Sequence, residues 1–133
     1  MTNAASSVNV SLVSGPLAPA MPWTVQGAGA VLAFEGVVRP MEEARSLVAL
    51  VYEAYEPMTS KELRRLAAAV HHRHALLGLV VEHSVGRVLV SSVSFRLRVA
   101  AAHRKPAILA VDEFIDEMKR GVPLWKVPEW TQM

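Results

Sequence analysis

Apolar residues along this chain repeat with two periods, one near two and one near 3.6. Val8, Val10 and Leu12 alternate with polar neighbours, which predicts a short strand. Gly15, Pro16, Pro19 and Pro22 predict a loop over 15–26, with at most a helical turn around Trp23. Ala28 to Val38 is apolar and rich in β-formers, a second strand that Arg39-Pro40 ends. Residues 40–45 predict an exposed acidic turn. Leu47 to Tyr55 is apolar on both faces of a strand, which predicts burial on both sides or one side against another subunit.

The period then changes. Glu56-Pro57-Met58-Thr59 opens a helix, and Thr59 with Glu62 has the spacing of a capping box. Leu63, Leu66, Ala67 and Val70, with His74 beyond them, form its inward stripe, while Arg64, Arg65, His71 and His72 lie outward. Gly78 marks the exit. Leu79 to Val85 reads as a strand, Gly86-Arg87 as a turn and Val88 to Ala101 as a long strand. In the last of these Val93, Phe95, Leu97 and Val99 face in, and Ser94, Arg96 and Arg98 face out. A second helix follows His103-Arg104-Lys105-Pro106. Ala107, Val111, Phe114, Ile115 and Met118 are its apolar stripe, and Asp112, Glu113, Asp116 and Glu117 its solvent face. Strands follow one another without crossover helices, so the predicted class is α+β, with mostly antiparallel sheets and two main helices. The apolar strands Leu47–Tyr55 and Val88–Ala101 also predict a self-association surface.

At 133 residues the chain predicts a single domain, 1–133, with 1–7 disordered, and it is long enough for a sizeable core. Cysteine is absent, which excludes disulfides, thiolate metal sites and cysteine nucleophiles and fits a cytoplasmic location. There is neither the pattern of a signal peptide nor an apolar run of the ~20 residues that a membrane helix needs. A formal charge of +2 gives no reason to expect a nucleic-acid partner. Ten of the fourteen basic residues are arginine, which suits a local phosphate or carboxylate site.

The densest chemistry lies near the C-terminus, in Lys119-Arg120-Gly121-Val122-Pro123-Leu124-Trp125-Lys126. The chain has four lysines, and two of them flank this Val-Pro-Leu-Trp turn. Pro123 stops the second helix, Gly121 is placed to cap it, and Lys126 is expected to fold back toward Lys119. Two ammonium groups brought together repel and lower each other's pKa, which readies a lysine for acid, base or nucleophilic work. The same residues would also suit a frayed basic helix end with Trp125 plugging the core. His103-Arg104-Lys105 sets three cationic groups at a helix start, which suits a phosphate site because positive charge there opposes the dipole, and suits a purely structural helix start about equally. Arg39, at a strand end, is a lone further candidate.

Other constellations carry less. Gly27-Ala28-Gly29 lacks the third glycine of a dinucleotide fingerprint and precedes a strand. His71, His72 and His74 lack the carboxylate or cysteine partners of a metal site, so no metal is expected. Glu53 and Glu56 would point to opposite faces of a strand.

Together these segments resemble the large, catalytic subunit family of molybdopterin synthase, from about Gly27 to Trp130. The carrying residues are Phe34-Glu35-Gly36-Val37-Val38-Arg39, Tyr52-Glu53-Ala54-Tyr55-Glu56-Pro57-Met58, His103-Arg104, Ile115-Asp116 with Lys119, and Val122-Pro123-Leu124-Trp125-Lys126. The resemblance implies an α/β hammerhead-like fold without a bound cofactor. It implies a sulfurtransferase that converts cyclic pyranopterin monophosphate to molybdopterin. Its sulfur would come from a thiocarboxylate on the C-terminal Gly-Gly of a small ubiquitin-like subunit, with two small subunits on a homodimer of this chain. Lys119 and Lys126 would then be catalytic. Arg39, His103 and Arg104 would bind substrate, the last two reaching across the dimer. Phe34, Met118 and Trp125 would wall the pocket. The sequence departs from the family at Ser84, where arginine follows the histidine, at Ser91-Ser92, where Gly-Glu is usual, and in its short tail after Trp130. These departures motivate an alternative, a catalytically degenerate module that docks a ubiquitin-like partner.

Overall fold

A computed structural model describes residues 7–132. The expectation of disorder over 1–7 falls, apart from Ser7, outside them. The order is β1 Val8–Ser14, β2 Ala30–Val37, β3 Met41–Glu42, β4 Arg45–Ala54, α1 Met58–Arg73, β5 Gly78–Leu89, β6 Val93–Ala101, α2 Arg104–Gly121 and β7 Leu124–Trp130. The strands run β2-β6-β5-β4-β3, with β1 added beside β5 and β7 beside β4. Every pairing is antiparallel except β1 with β5, so the α+β expectation with mostly antiparallel sheets holds. Among the described residues no helix is long and apolar enough to cross a membrane.

Both helices lay their apolar stripes on one face of the β1-β5-β6-β2 region. Leu63, Leu66, Ala67 and Val70 of α1 and Ala107, Ala110, Phe114 and Met118 of α2 meet Leu79, Val81, Phe95, Leu97 and Val99 there. Each large side chain so buried contributes roughly 1.5–3 kcal/mol. Glu113 and Glu117, expected to face solvent, instead pair with Arg73 and join the two helices. A smaller core of Val38, Leu47, Leu50 and Val88 lies under β4, with Tyr52 and Trp130 packed against it.

Several boundaries moved, each for a local reason. Gly86 is not a turn. With φ of +85° it bends β5, which pairs with β6 as far as His83 and with β4 from Gly86 onward. The reversal falls at Val90–Ser92, where Ser91 takes a φ of +71°. The acidic turn at 40–45 is a tight hairpin, β3 to β4 through Glu43 and Ala44. Gly121 does not cap α2 in a left-handed conformation. It is the last helical residue, and Val122 is extended with φ −88° and ψ 125°, as the following proline demands. The polar face of β6 is covered by the loop at 15–26. Ser94 and Arg96 are buried, with Arg96 donating to the Ala18 carbonyl and Arg98 to that of Met21. β4 and β6 lie inside the sheet, and much of their apolar surface is buried within the chain.

The capping box does not form, for Thr59 lies one residue inside α1. Its hydroxyl accepts from the Tyr55 amide at 2.8 Å and donates to the Pro123 carbonyl at 2.5 Å. Glu56 serves the helix start instead, accepting from the Ser60 amide at 2.8 Å and the Ser60 hydroxyl at 2.5 Å. The bond to Pro123 ties α1 to the turn between α2 and β7.

Candidate active site

The sequence predicts a turn after α2, and the strand β7 that forms there is the element that builds the site. After Val122 and Pro123 the chain reverses and pairs with β4 from Leu124 opposite Ala54 to Trp130 opposite Leu47. Pro128 is tolerated because β7 is an edge strand. Strand alternation then separates the faces. Leu124 and Lys126 look into a cleft of about 740 Å³, while Trp125 and Val127 turn away. Trp125 is 55% exposed and is absent from the cleft lining. It is therefore neither a pocket wall nor a plug for the core.

The cleft opens between the C-terminal turn of α2 and the β2, β4, β5 and β7 strands. Its apolar wall includes Phe34, Leu50, Phe95, Ile115, Met118 and Leu124, and its cations are Arg39, Lys119 and Lys126. Phe34 and Met118 both line the cleft, and Met118 belongs to the main core as well. Helix geometry fixes Lys119 one residue beyond buried Met118, at the exposed rim. Among the described residues Lys119 has no ion-pair partner.

Lys126 does have a partner, one that no local sequence pattern marks. Its ammonium donates to Glu42 Oε1 at 3.1 Å, and Arg39 donates to Glu42 Oε2 at 2.5 Å. The Lys126 bond, with Arg39 adding to it and burial opposing, holds the Glu42 carboxyl below its ordinary pKa. Deeper in the cleft His83 lies edge-on to Tyr52, ring centroids 5.1 Å apart, and 5.6 Å from Phe95. Its Nδ1–H donates to the Ser84 carbonyl at 2.8 Å, which leaves Nε2 with the lone pair in the neutral ring. Burial outweighs that bond and pushes the imidazole pKa down, so the ring is neutral at pH 7. Tyr52 and Ser94 hydroxyls bond at 2.9 Å on the same wall.

His103 and Arg104 are elsewhere. His103 caps α2 and Arg104 begins it, both exposed. Lys119 lies fifteen residues along that helix from Arg104, about 22 Å at 1.5 Å per residue. One copy of the chain therefore brings together Arg39, Lys119 and Lys126 but not His103 or Arg104. Missed from the sequence were Glu42, read as solvated turn, and His83, noted only for the serine that follows it. No group of histidine and carboxylate residues suited to a metal occurs among the described residues.

A family model described as the MoaE protein matches residues 15–121. The molybdopterin synthase catalytic subunit of Homo sapiens is 36% identical over 98 residues, covering 74% of this chain and 52% of that protein. The chain spans about half the length of the curated relatives it matches. The crystal structure of molybdopterin synthase from Staphylococcus aureus is similar with a TM-score of 0.79 at 26% identity, over 92% of this chain and 91% of that one. The solved complex of subunits 1 and 2 of the molybdopterin-converting factor from Helicobacter pylori shares the fold, with a TM-score of 0.67 at 22% identity over 92% and 90% of the two chains. With its model matched along most of the sequence and its fold shared by those structures, the chain belongs to the MoaE protein family.

Proposed function

We propose that this chain is the catalytic subunit of a molybdopterin synthase, a sulfurtransferase that turns cyclic pyranopterin monophosphate into the dithiolene of molybdopterin. The observation that carries the reading is the convergence of Arg39, Lys119 and Lys126 on one cleft with an apolar wall. The sulfur donor is the thiocarboxylate at the C-terminal Gly-Gly of a small ubiquitin-like subunit. That the Helicobacter pylori relative was solved as a complex of two subunits supports such a partner. A cleft of this volume lined by Gly36, Phe34 and Leu124 suits an extended, side-chain-free tail.

The chemistry distributes over the residues as follows. The thiocarboxylate sulfur bonds to a side-chain carbon of the pterin and displaces an oxygen substituent, which leaves with a proton; water then cleaves the acyl–sulfur link to a carboxylate and a thiol, and a second thiocarboxylate supplies the other sulfur. Negative charge develops on the acyl oxygen as water adds. Lys119, with no carboxylate to neutralise it, stabilises that oxyanion, and Lys126 moves the proton. Arg39 takes the substrate phosphate with a forked guanidinium. His103 and Arg104 complete the phosphate site from a second copy, since α2 holds them about 22 Å from Lys119 in their own. The exposed apolar residues Val31 and Val37 on β2, an edge strand, and Ile108 and Leu109 on α2 favour such a contact.

The engagement of Arg39 and Lys126 by Glu42, with Ser84 in place of arginine, favours a second reading: a degenerate docking module. A single-turnover assay separates the two. Purified chain is mixed with thiocarboxylated small subunit and cyclic pyranopterin monophosphate, and dithiolene product is detected as its fluorescent oxidation product. Product supports the synthase. A small subunit that binds and gives none supports the docking module.

A further inference from the structure

We propose that Glu42 is a specificity-determining residue of this cleft: an internal carboxylate that occupies Arg39 and Lys126 until an anionic ligand displaces it. The proposal rests on the reading of the cleft as an anion site and adds how that site chooses among anions. One Glu42 oxygen takes the Lys126 ammonium at 3.1 Å and the other takes the Arg39 guanidinium at 2.5 Å. A carboxylate held between two cations through separate oxygens is the contact set a bound anionic ligand would make. Glu42 is also the inner partner. Its side chain is 16% exposed, against 75% for Arg39 and 56% for Lys126. All three residues line the same cleft. A pair formed only to screen two surface cations would leave its carboxylate outermost.

The backbone that carries Glu42 is built to yield. β3 is two residues long and pairs with β4 alone, Met41 with Ser46 and Glu42 with Arg45. The connecting residues Glu43 and Ala44 both take left-handed φ, +49° and +61°, which alanine and glutamate adopt at a cost and glycine without one. Strain of this kind persists where surrounding contacts enforce it, and it collects at sites that switch. Here the contacts are the short β3–β4 pairing, the Leu47 amide on the Pro40 carbonyl and the two ion pairs of Glu42. When an anion takes the cations from Glu42, the two ion pairs lapse and the hairpin loosens.

The consequence is selection by charge. A ligand that must first displace Glu42 has its apparent affinity cut by the fraction of molecules in which the carboxylate is away. A simple monoanionic carboxylate replaces like with like and gains nothing. A phosphate, with more charge and more acceptor oxygens, can span both cations, and Lys119 on the same cleft has no ion-pair partner among the described residues to give up.

Inorganic phosphate and acetate, titrated calorimetrically at pH 8, test this. Glu42→Gln keeps the shape and removes the charge, and Glu43→Gln makes the same change in net charge one residue along. Glu42→Gln should bind phosphate about 10-fold more tightly than the parent and acetate with a larger gain still, so that discrimination between them shrinks. Glu43→Gln should stay within about twofold, the size of a screened long-range effect. Unchanged or weaker phosphate binding in Glu42→Gln, or an equal gain in Glu43→Gln, would overturn the proposal. In the parent chain, phosphate should speed amide hydrogen exchange over residues 41–46, and slowed or unaltered exchange would also overturn it. Binding is read here without sulfur transfer. A chain that made no molybdopterin would therefore fail the reading above and leave this result intact. Loss of phosphate binding in Arg39→Ala with no gain in Glu42→Gln would remove Glu42's role alone.

Discussion

Thr59→Val should loosen the seam that places β7, although it removes no apolar contact. Thr59 is fully buried, and valine matches its volume. What is lost is one hydroxyl that serves two backbone groups, the Tyr55 amide at 2.8 Å and the Pro123 carbonyl at 2.5 Å. A polar group left unpaired away from water costs about 1–3 kcal/mol. Tyr55 is well exposed and its amide can find water, so the Pro123 carbonyl dominates. About 2 kcal/mol is expected in total. At about 2.1 cal/mol/K per residue, a chain of 133 residues would then melt about 7 °C lower. The assay is thermal unfolding by circular dichroism, with Thr59→Ser as the companion that keeps the hydroxyl. Thr59→Ser should retain most of the stability. Because Pro123 precedes Leu124 and Lys126, Thr59→Val should also lower turnover by more than its fraction unfolded explains. A valine variant as stable as the parent, or a serine variant as damaged as the valine one, would refute the assigned role.

Arg96 is 3% exposed and donates to Glu35, Glu82 and the Ala18 carbonyl, so Arg96→Met should cost about 3 kcal/mol in urea unfolding by stranding partners that were paired; an unchanged midpoint would contradict this. His83 has its pKa pushed below the ordinary 6.5 by burial, so the unfolded chain takes up the proton first. Its contribution to stability is complete above about pH 6.5 and is lost as pH falls through the folded-state value, so His83→Gln should flatten the acid side of the stability profile. Parallel profiles for the two proteins between pH 7.5 and 5 would dispose of that reading. Trp125→Ala should change stability by less than about 1 kcal/mol, because the ring stands outside the cleft and the core. The roughly 3–5 kcal/mol loss of a core tryptophan would show the ring to be packed.

Periodicity carried most of the fold. The α1 and α2 stripes and the alternation in β1, β2 and β6 are strong because each buries one face on the same core, while β4, apolar on both faces, serves a smaller one. β7 was hidden because Leu124–Trp130 holds a proline and follows another, signals of a turn, and only its pairing with β4 makes it a strand. The Gly86 bend looked like a turn because glycine at positive φ serves both, and which one depends on the partners of β5 on either side. In the site, Lys119, Lys126 and Arg39 were legible through the order of short family segments more than through spacing. Trp125 was placed on the wrong face because a turn has no alternation to read, whereas a strand does. Glu42 could not have been found, since nothing local in Met41-Glu42-Glu43-Ala44 marks a hairpin that folds back onto Arg39 and Lys126.

The measurement closest to the central claim is the single-turnover assay run on Lys119→Ala, on His103→Ala and on an equal mixture of the two. Each variant alone should give product at least 100-fold more slowly than the parent, with folding and small-subunit binding retained. If each cleft draws His103 from the other copy, random exchange of subunits makes about a quarter of the sites in the mixture intact, and product formation should return to that level. Full activity in Lys119→Ala would contradict the catalytic role of the cleft. A mixture as inactive as its parts, with exchange demonstrated, would contradict the shared site.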